Sequence, residues 1–277
     1  MKSFKVHIPM LALMAIGSAA HAQVSAQSII VNPVATGLKV TVRTNRTTPA
    51  QPSPSFAPSD HLEFYTRVNA DAYVYLFNVD ARGHVSLLAS NGLQAAGAFV
   101  KANTTRVFPE KGKASTFLLT LPQGLNQVFA LASLLPLNLG ALTERTAAQG
   151  DMTPVNVQGR AGLAQALNQV VKPLKAQSWT TDTSSYTITR PALNGLPAVD
   201  VNALKAQVSF KRQARLSEVY VTYADRLRAE GYLVTDARYG EREAKGVFVR
   251  KGAQLRQVTL EVTQRGDTFF VKLARQK

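Results

Sequence analysis

The chain has 277 residues, 45% of them hydrophobic, a formal net charge of +15 and no cysteine. That apolar content argues for globular folding and against disorder. The missing thiols exclude disulfide stapling and a cysteine nucleophile, and the length accommodates two modest domains after a leader.

Residues 1–22 read as a cleavable secretory signal. Lys2 and Lys5 make the start positive, Ile8 to Ala20 is almost uncharged and apolar, and Ala20-His21-Ala22 supplies a small-x-small cleavage site. The apolar run is shorter than the ~20 residues a membrane span needs, and Pro9 and Gly17 interrupt it. No cysteine adjoins the cleavage site for lipid attachment. The expectation is an exported product of the periplasm or cell surface, held together by its core instead of by disulfides.

Strand character begins at Ser28–Asn32 and Leu38–Thr44, where β-branched residues alternate with polar ones. Asn45 to Asp60 carries Pro49, Pro52, Pro54 and Pro58 and cannot be a central strand. Leu62–Val68 alternates again. After Asn69-Ala70-Asp71, the run Tyr73–Val79 is apolar or aromatic on both faces, which predicts a strand covered on both sides. Asp80-Ala81-Arg82-Gly83 makes a hairpin turn into His84–Leu88. Further strands are expected at Thr104–Phe108, Thr116–Leu121 and Val128–Ser133, with Gly124 in the turn between the last two.

Leu163, Leu167, Val170 and Val171 share one face of a helix ending near Pro173, and Trp179–Thr189 returns to strand with Tyr186 and Ile188 on one face. Pro191–Pro197 reads as a linker. Beyond it, Leu204–Phe210 is a strand, and Leu216–Glu230 is a helix with Ser217 as N-cap, stopped by Gly231. Its buried face carries Tyr220, Tyr223, Ala224 and Leu227. Strands at Tyr232–Ala237, Val247–Arg250, Leu255–Thr263 and Thr268–Leu273 follow, joined by Lys251-Gly252 and Arg265-Gly266-Asp267. The expected architecture is mostly β with α+β: a signal at 1–22, a β-sandwich over 23–190, a linker at 191–198, and one helix on an antiparallel meander over 199–277.

The run Asp71-Ala72-Tyr73-Val74-Tyr75-Leu76-Phe77-Asn78-Val79-Asp80, followed by Gly83-His84-Val85, Leu87-Leu88 and Asn91, resembles the core signature of the domain-of-unknown-function 4384 family. Pro122-Gln123-Gly124 and Ala130-Leu131-Ala132-Ser133 are similar to that family's closing elements, and the likeness could extend over residues 30–190. Ser90 stands where the family usually has Pro before the Asn. The resemblance implies an immunoglobulin-like sandwich in exported or envelope-linked bacterial proteins, and it transfers no catalytic residue. Residues 200–277 are similar in pattern to C-terminal modules attached to such sandwiches in bacteria bearing surface layers. Each signature residue also has a structural cause. Tyr73 and Tyr75 fill a sheet, Asp80 and Gly83 make one turn, and Pro122 and Gly124 make another.

Sites of chemistry are sparse. His61 and His84 are the histidines left after the signal, and a zinc or copper centre wants three or four nitrogen or sulfur ligands. The pair would need Asp71, Asp80 or another chain, and a polar residue at a strand start and another beside a turn account for it more simply. There is no G-x-S-x-G elbow and no Gly-rich phosphate loop. A glycosidase pair would have to come from Asp60, Glu63, Asp71, Asp80, Glu110, Glu144, Asp151 and Asp182, and spatial separation decides that chemistry.

Loss of Lys2 and Lys5 leaves +13, spread over both halves of the chain. Such a surface attracts polyanions, including acidic envelope polymers, anionic lipid headgroups or nucleic acid, or serves solubility alone. In the C-terminal module Lys211, Arg212, Arg215, Arg226, Arg228, Arg250, Lys251 and Arg256 are interleaved with Tyr220, Tyr223, Tyr232, Tyr239 and Phe248. That mixture can bind single-stranded nucleic acid. Core spacing of the tyrosines and nearby Glu218, Glu230, Glu241 and Glu243 favour a partly self-neutralised solvated face.

The expectation is a non-catalytic envelope binding or assembly module without cofactor, meeting another envelope protein or an acidic envelope polymer. The alternatives are a copper-dependent envelope enzyme of oxidative-stress defence using His61 and His84, and nucleic-acid binding by the C-terminal module.

Overall fold

The computed structural model describes residues 36–58, 60–88, 98–109, 121–143, 152–190, 193–250, 252 and 256–276. The signal with Ala20 and Ala22, the strand expected at Ser28–Asn32, nearly all of that at Thr116–Leu121, Asn91 and Lys251 lie outside these residues.

The chain is mostly β, a sandwich followed by an α+β module. Strands β1 (Val40–Thr44), β3 (Phe64–Val68) and β7 (Thr105–Phe108) form a three-stranded antiparallel sheet in the order β1-β3-β7. Facing it is a larger sheet, ordered β2-β10-β8-β4-β5-β9. It consists of β2 (Ser55–Phe56), β10 (Trp179–Ile188), β8 (Gly124–Ser133), β4 (Ala72–Val79), β5 (His84–Leu88) and β9 (Met152–Gln158), with β6 (Ala98–Val100) pairing β4. Val42 N donates to Asp182 Oδ2 at 2.7 Å, so β1 is tied directly to β10 of the facing sheet.

Strand β4 has core on both faces, as its unbroken apolar run predicts. Val74 and Leu76 face the three-stranded sheet with Phe56, Leu62, Phe64 and Tyr186. Tyr75, Phe77 and Val79 pack on the other side with Trp179 and with Leu163, Leu167 and Val171 of helix α1 (Gly159–Val171). The sandwich is therefore backed by a helical third layer. Gly83 has φ +81°, the conformation the hairpin after β4 demands.

Strand β9 was not expected from the sequence. Pro154 lies within it, and Pro is tolerated because β9 is an edge strand. The Pro-rich stretch likewise contributes only β2, a two-residue edge that runs parallel to β10.

The C-terminal module orders its five strands β11-β15-β14-β13-β12, from β11 (Lys205–Lys211), β12 (Leu233–Tyr239), β13 (Glu243–Arg250), β14 (Arg256–Arg265) and β15 (Thr268–Gln276). Helix α2 (Leu216–Ala229) covers one face through Val219, Tyr220, Tyr223, Ala224 and Leu227, against Phe248, Leu260, Val262, Phe269 and Val271. The N-cap is Arg215, not Ser217. The Glu218 carboxylate reaches back to accept the Arg215 amide at 2.9 Å, which sets the cap two residues earlier, with the helix starting at Leu216 as expected and Ser217 buried within it. Residues 193–198, read as linker, pack onto this module. Leu196 is buried in its core, and Arg226 donates to the carbonyls of Leu196 and Pro197 while Tyr223 donates to Pro197.

Candidate binding surfaces

The two histidines each face their own acid. His61 Nε2 lies 3.4 Å from Glu63 Oε1, and His84 Nδ1 lies 3.2 Å from Asp80 Oδ2 within the hairpin turn. Among the described residues no group of three or more His, Cys, Asp or Glu side chains converges. His84 stands on the border with the C-terminal module, beside a cavity of about 30 Å3 lined by Asn78, Asp80, Met152, Arg228 and Val234.

The described acids of the sandwich hold backbone in place. Asp60 accepts from the Ala57 amide and the Arg46 guanidinium, each at 2.7 Å, and Arg46 keeps its carboxyl below the ordinary value. Asp71 accepts from the Ala102 amide, Asp80 from the Arg82 and His84 amides, and Glu63 from the Tyr65 hydroxyl. Asp182 accepts from Val42, and burial raises its carboxyl above the ordinary value. Glu110, Glu144 and Asp151 lie outside the described residues.

The seven described basic residues among those singled out in the C-terminal module do not make one surface. Arg226 is spent on the carbonyls of residues 196 and 197 and stacks over Tyr223. Arg228 is buried and donates to Asp225. Arg250 donates to the Glu230 carbonyl and covers Tyr232. Arg215 begins α2, Arg212 is half-buried, and Lys211 and Arg256 are exposed.

A different basic face exists, on the side of the five-stranded sheet away from α2. Directly paired residues project to the same side of a sheet, so the strand register names its members. One row runs Gln207, Lys272, Glu261, Lys245, Arg238 across all five strands. A second runs Ser209, Phe270, Thr263, Glu243, and a third runs Lys211, Thr268, Arg265. Lys205 and Asp236 lie at opposite ends of a fourth. Lys205, Lys211, Arg238, Lys245, Arg265 and Lys272 are all exposed, against the acids Asp236, Glu243 and Glu261. Arg265 lies over the Phe270 ring, 5.4 Å from its centroid. Proximity in the chain hid this face, because its members come from five strands. Alternation of charge within Lys245, Glu261, Arg265 and Lys272 was the available signal.

The fold therefore defines a two-part β-rich protein, with a sandwich of two facing sheets before a helix-covered sheet. Residues 55–136 match the model of a family described as Domain of unknown function (DUF4384). The match runs from β2 to just past β8 and contains Tyr73, Tyr75, Asp80, Gly83, Pro122 and Gly124. It is narrower than the 30–190 span of the sequence resemblance. Within it, the Tyr75 hydroxyl accepts from the amide of Leu137, one residue past the match, at 2.6 Å, and the Asn126 side chain donates to the carbonyls of Pro122 and Gly124. The signature side chains thus shape turns and sheet packing. No curated protein matches the chain.

Proposed function

We propose that the protein is an exported, non-catalytic binding or assembly module of the cell envelope, released from its leader after Ala22. Its ligand is an acidic envelope polymer or an acidic patch on another envelope protein. The observation that carries this reading is the open face of the five-stranded sheet, where six exposed cations oppose three acids on a rigid, register-fixed surface. A sheet backed by a packed helix presents such charges on backbone that is already ordered, so binding orders only the side chains, and charge complementarity supplies rapid association. The test is retention of the protein on isolated envelopes across a salt titration. Retention at low salt that falls as salt rises, and that is weakened by Lys245→Glu/Lys272→Glu, is the expected result. No retention at low salt, or accumulation of the protein in the cytosol, overturns the proposal.

A second reading, single-stranded nucleic acid on the same face, is favoured by Phe270 standing in the middle of the cations with Arg265 against its ring. Phe270→Ala separates the two. It weakens binding to an oligonucleotide by stacking loss, and it leaves retention by a non-aromatic polyanion unchanged.

A further inference from the structure

Five large hydrophobic side chains are exposed among the described residues, and three of them gather at one end of the sandwich. These are Phe99, 54% exposed, Leu134, 45%, and Leu135, 55%. Strand register brings them together. Phe99 of β6 pairs Tyr73 of β4, Tyr73 pairs Ser133 of β8, and Ser133 pairs Trp179 of β10. Two strand spacings separate Phe99 from Ser133, roughly 10 Å, and Leu134 and Leu135 follow at once. Tyr73 bridges the gap, its ring edge-on to Phe99 at 5.5 Å. The Leu134 amide donates to the Ser178 carbonyl at 2.9 Å, and the Leu135 amide to Ser133 Oγ at 3.3 Å. The leucines are therefore displayed on a fixed turn.

A collar of lysines surrounds these side chains. Lys101 follows β6. Lys172 and Lys175 lie on the turn that carries Ser178, whose amide bonds Lys175 O. Lys39 precedes β1, where its amide donates to the Asn69 side chain in the turn before β4. All four are exposed. The acid in that turn is Asp71, and its carboxylate accepts the Ala102 amide at 2.7 Å. An apolar prow ringed by lysines has the chemistry of a membrane-surface anchor. Leucine and phenylalanine enter the boundary between headgroups and acyl chains, while lysine stems lie along it with their ammonium groups on phosphates. A second copy of the same tip would bring lysine against lysine. No helix among the described residues is long and apolar enough to cross a membrane, so contact of this kind is with the surface.

We propose that this end of the sandwich docks on an anionic phospholipid surface through Phe99, Leu134 and Leu135, with Lys39, Lys101, Lys172 and Lys175 held to the headgroups. The site is independent of the open sheet face in the C-terminal module.

The test is co-sedimentation of residues 23–277, which include every described residue, with phosphatidylcholine vesicles and with vesicles that also contain phosphatidylglycerol. Binding is expected to the anionic vesicles alone and to weaken with salt. Each lysine near such a surface is worth about fivefold in partitioning, so Lys172→Ala/Lys175→Ala lowers it roughly 30-fold. Leu134→Ser/Leu135→Ser lowers it by on the order of tenfold per leucine. Leu204→Ser, at an exposed leucine of the C-terminal module that belongs to neither surface, leaves it unchanged. Vesicles with brominated acyl chains quench Trp179, the single tryptophan, beside the tip. The two tip variants lie on different turns, and circular dichroism confirms that each is folded. No sedimentation with anionic vesicles, tip variants that bind as the parent does, or loss of binding in the Leu204 variant overturns the proposal. Because Lys245→Glu/Lys272→Glu tests the envelope-retention reading separately, failure of one does not entail failure of the other.

Discussion

Arg190, just past the last strand of the sandwich, donates to the carboxylate of Asp225 on helix α2. Arg228 takes the other oxygen of the same carboxylate at 2.8 Å, and Arg190 also donates to the Leu121 carbonyl. Two guanidiniums, each side chain 4% exposed, thus share one acid where the sandwich meets the module. Burial, with Arg228 adding repulsion and Asp225 opposing it, lowers the Arg190 pKa to about 10. Removing the acid strands two buried cations. Asp225→Ala is expected to destabilise the protein by about 3 kcal/mol in urea unfolding, whereas Arg190→Met costs less than about 1 kcal/mol because it removes a buried charge together with its penalty. Equal costs for the two variants would contradict this account.

The same arginine sets a pH dependence. Its folded pKa lies below its unfolded value, so the cost of keeping it charged is fully present below about pH 10 and is relieved as pH rises above it. Relative to Arg190→Met, wild-type stability should therefore rise above that pH. Unfolding of both proteins measured side by side across it isolates the term.

Two acids of the sandwich work in opposite senses at low pH. Asp60 has a depressed carboxyl, so its stabilisation is present above the unfolded value of 3.8 and is lost as pH falls through the folded value. Asp182 has a raised carboxyl, so its charge costs stability once pH exceeds its folded value and costs nothing below 3.8. Asp60→Asn should flatten the acid limb of the stability curve, and Asp182→Asn, which keeps an acceptor for the Val42 amide, should steepen it. Thermal melts between pH 3 and 6, roughly the range of these carboxylates, read both changes.

Gly246 faces Tyr220 across the module core. A Cβ on Gly246 would lie 2.0 Å from Tyr220 Oη and 2.8 Å from Phe248 Cε2. The Tyr220 hydroxyl is buried without a hydrogen-bond partner, and burial pushes its pKa far up. Gly246→Ala should cost on the order of 3 kcal/mol through overpacking. Tyr220→Phe should be neutral or stabilising, since it removes an unsatisfied buried group, and the double variant should recover part of the loss. A double-mutant cycle by urea unfolding decides whether the two residues are coupled as stated.

Inside the sandwich, Tyr186 donates to Asn78 Oδ1 at 2.6 Å, with both residues buried. Tyr186→Phe leaves the amide oxygen without this donor in the buried core and should cost about 1–3 kcal/mol. Tyr65→Phe, which removes a hydroxyl from a half-exposed pair with Glu63, should stay within about 0.5 kcal/mol.

Where one face or both faces of a strand were apolar, the sequence was legible. The doubly covered β4, the 80–83 turn and the buried face of α2 all follow from period and composition. Ser217 misled because a good capping residue by type lay two positions inside the cap, while Glu218 capped Arg215 instead. Strand β9 was illegible because Pro154, Asn156 and Gln158 interrupt its pattern, and an edge strand tolerates them. The basic face and the apolar tip were hidden for a common reason. Each is defined by cross-strand register between segments tens of residues apart, whereas the arginines grouped by chain proximity were partly consumed in tying α2 to its surroundings.

The bond between Val42 and Asp182 spans 140 residues of sequence, and β2 waits for the last residues of β10 to pair at all. The sandwich therefore cannot close until nearly its whole length of chain is in hand, and such distant pairing is intrinsically slow. The residues that close the domain are among the last of it to be synthesised, so the growing chain stays open along most of its length until they arrive.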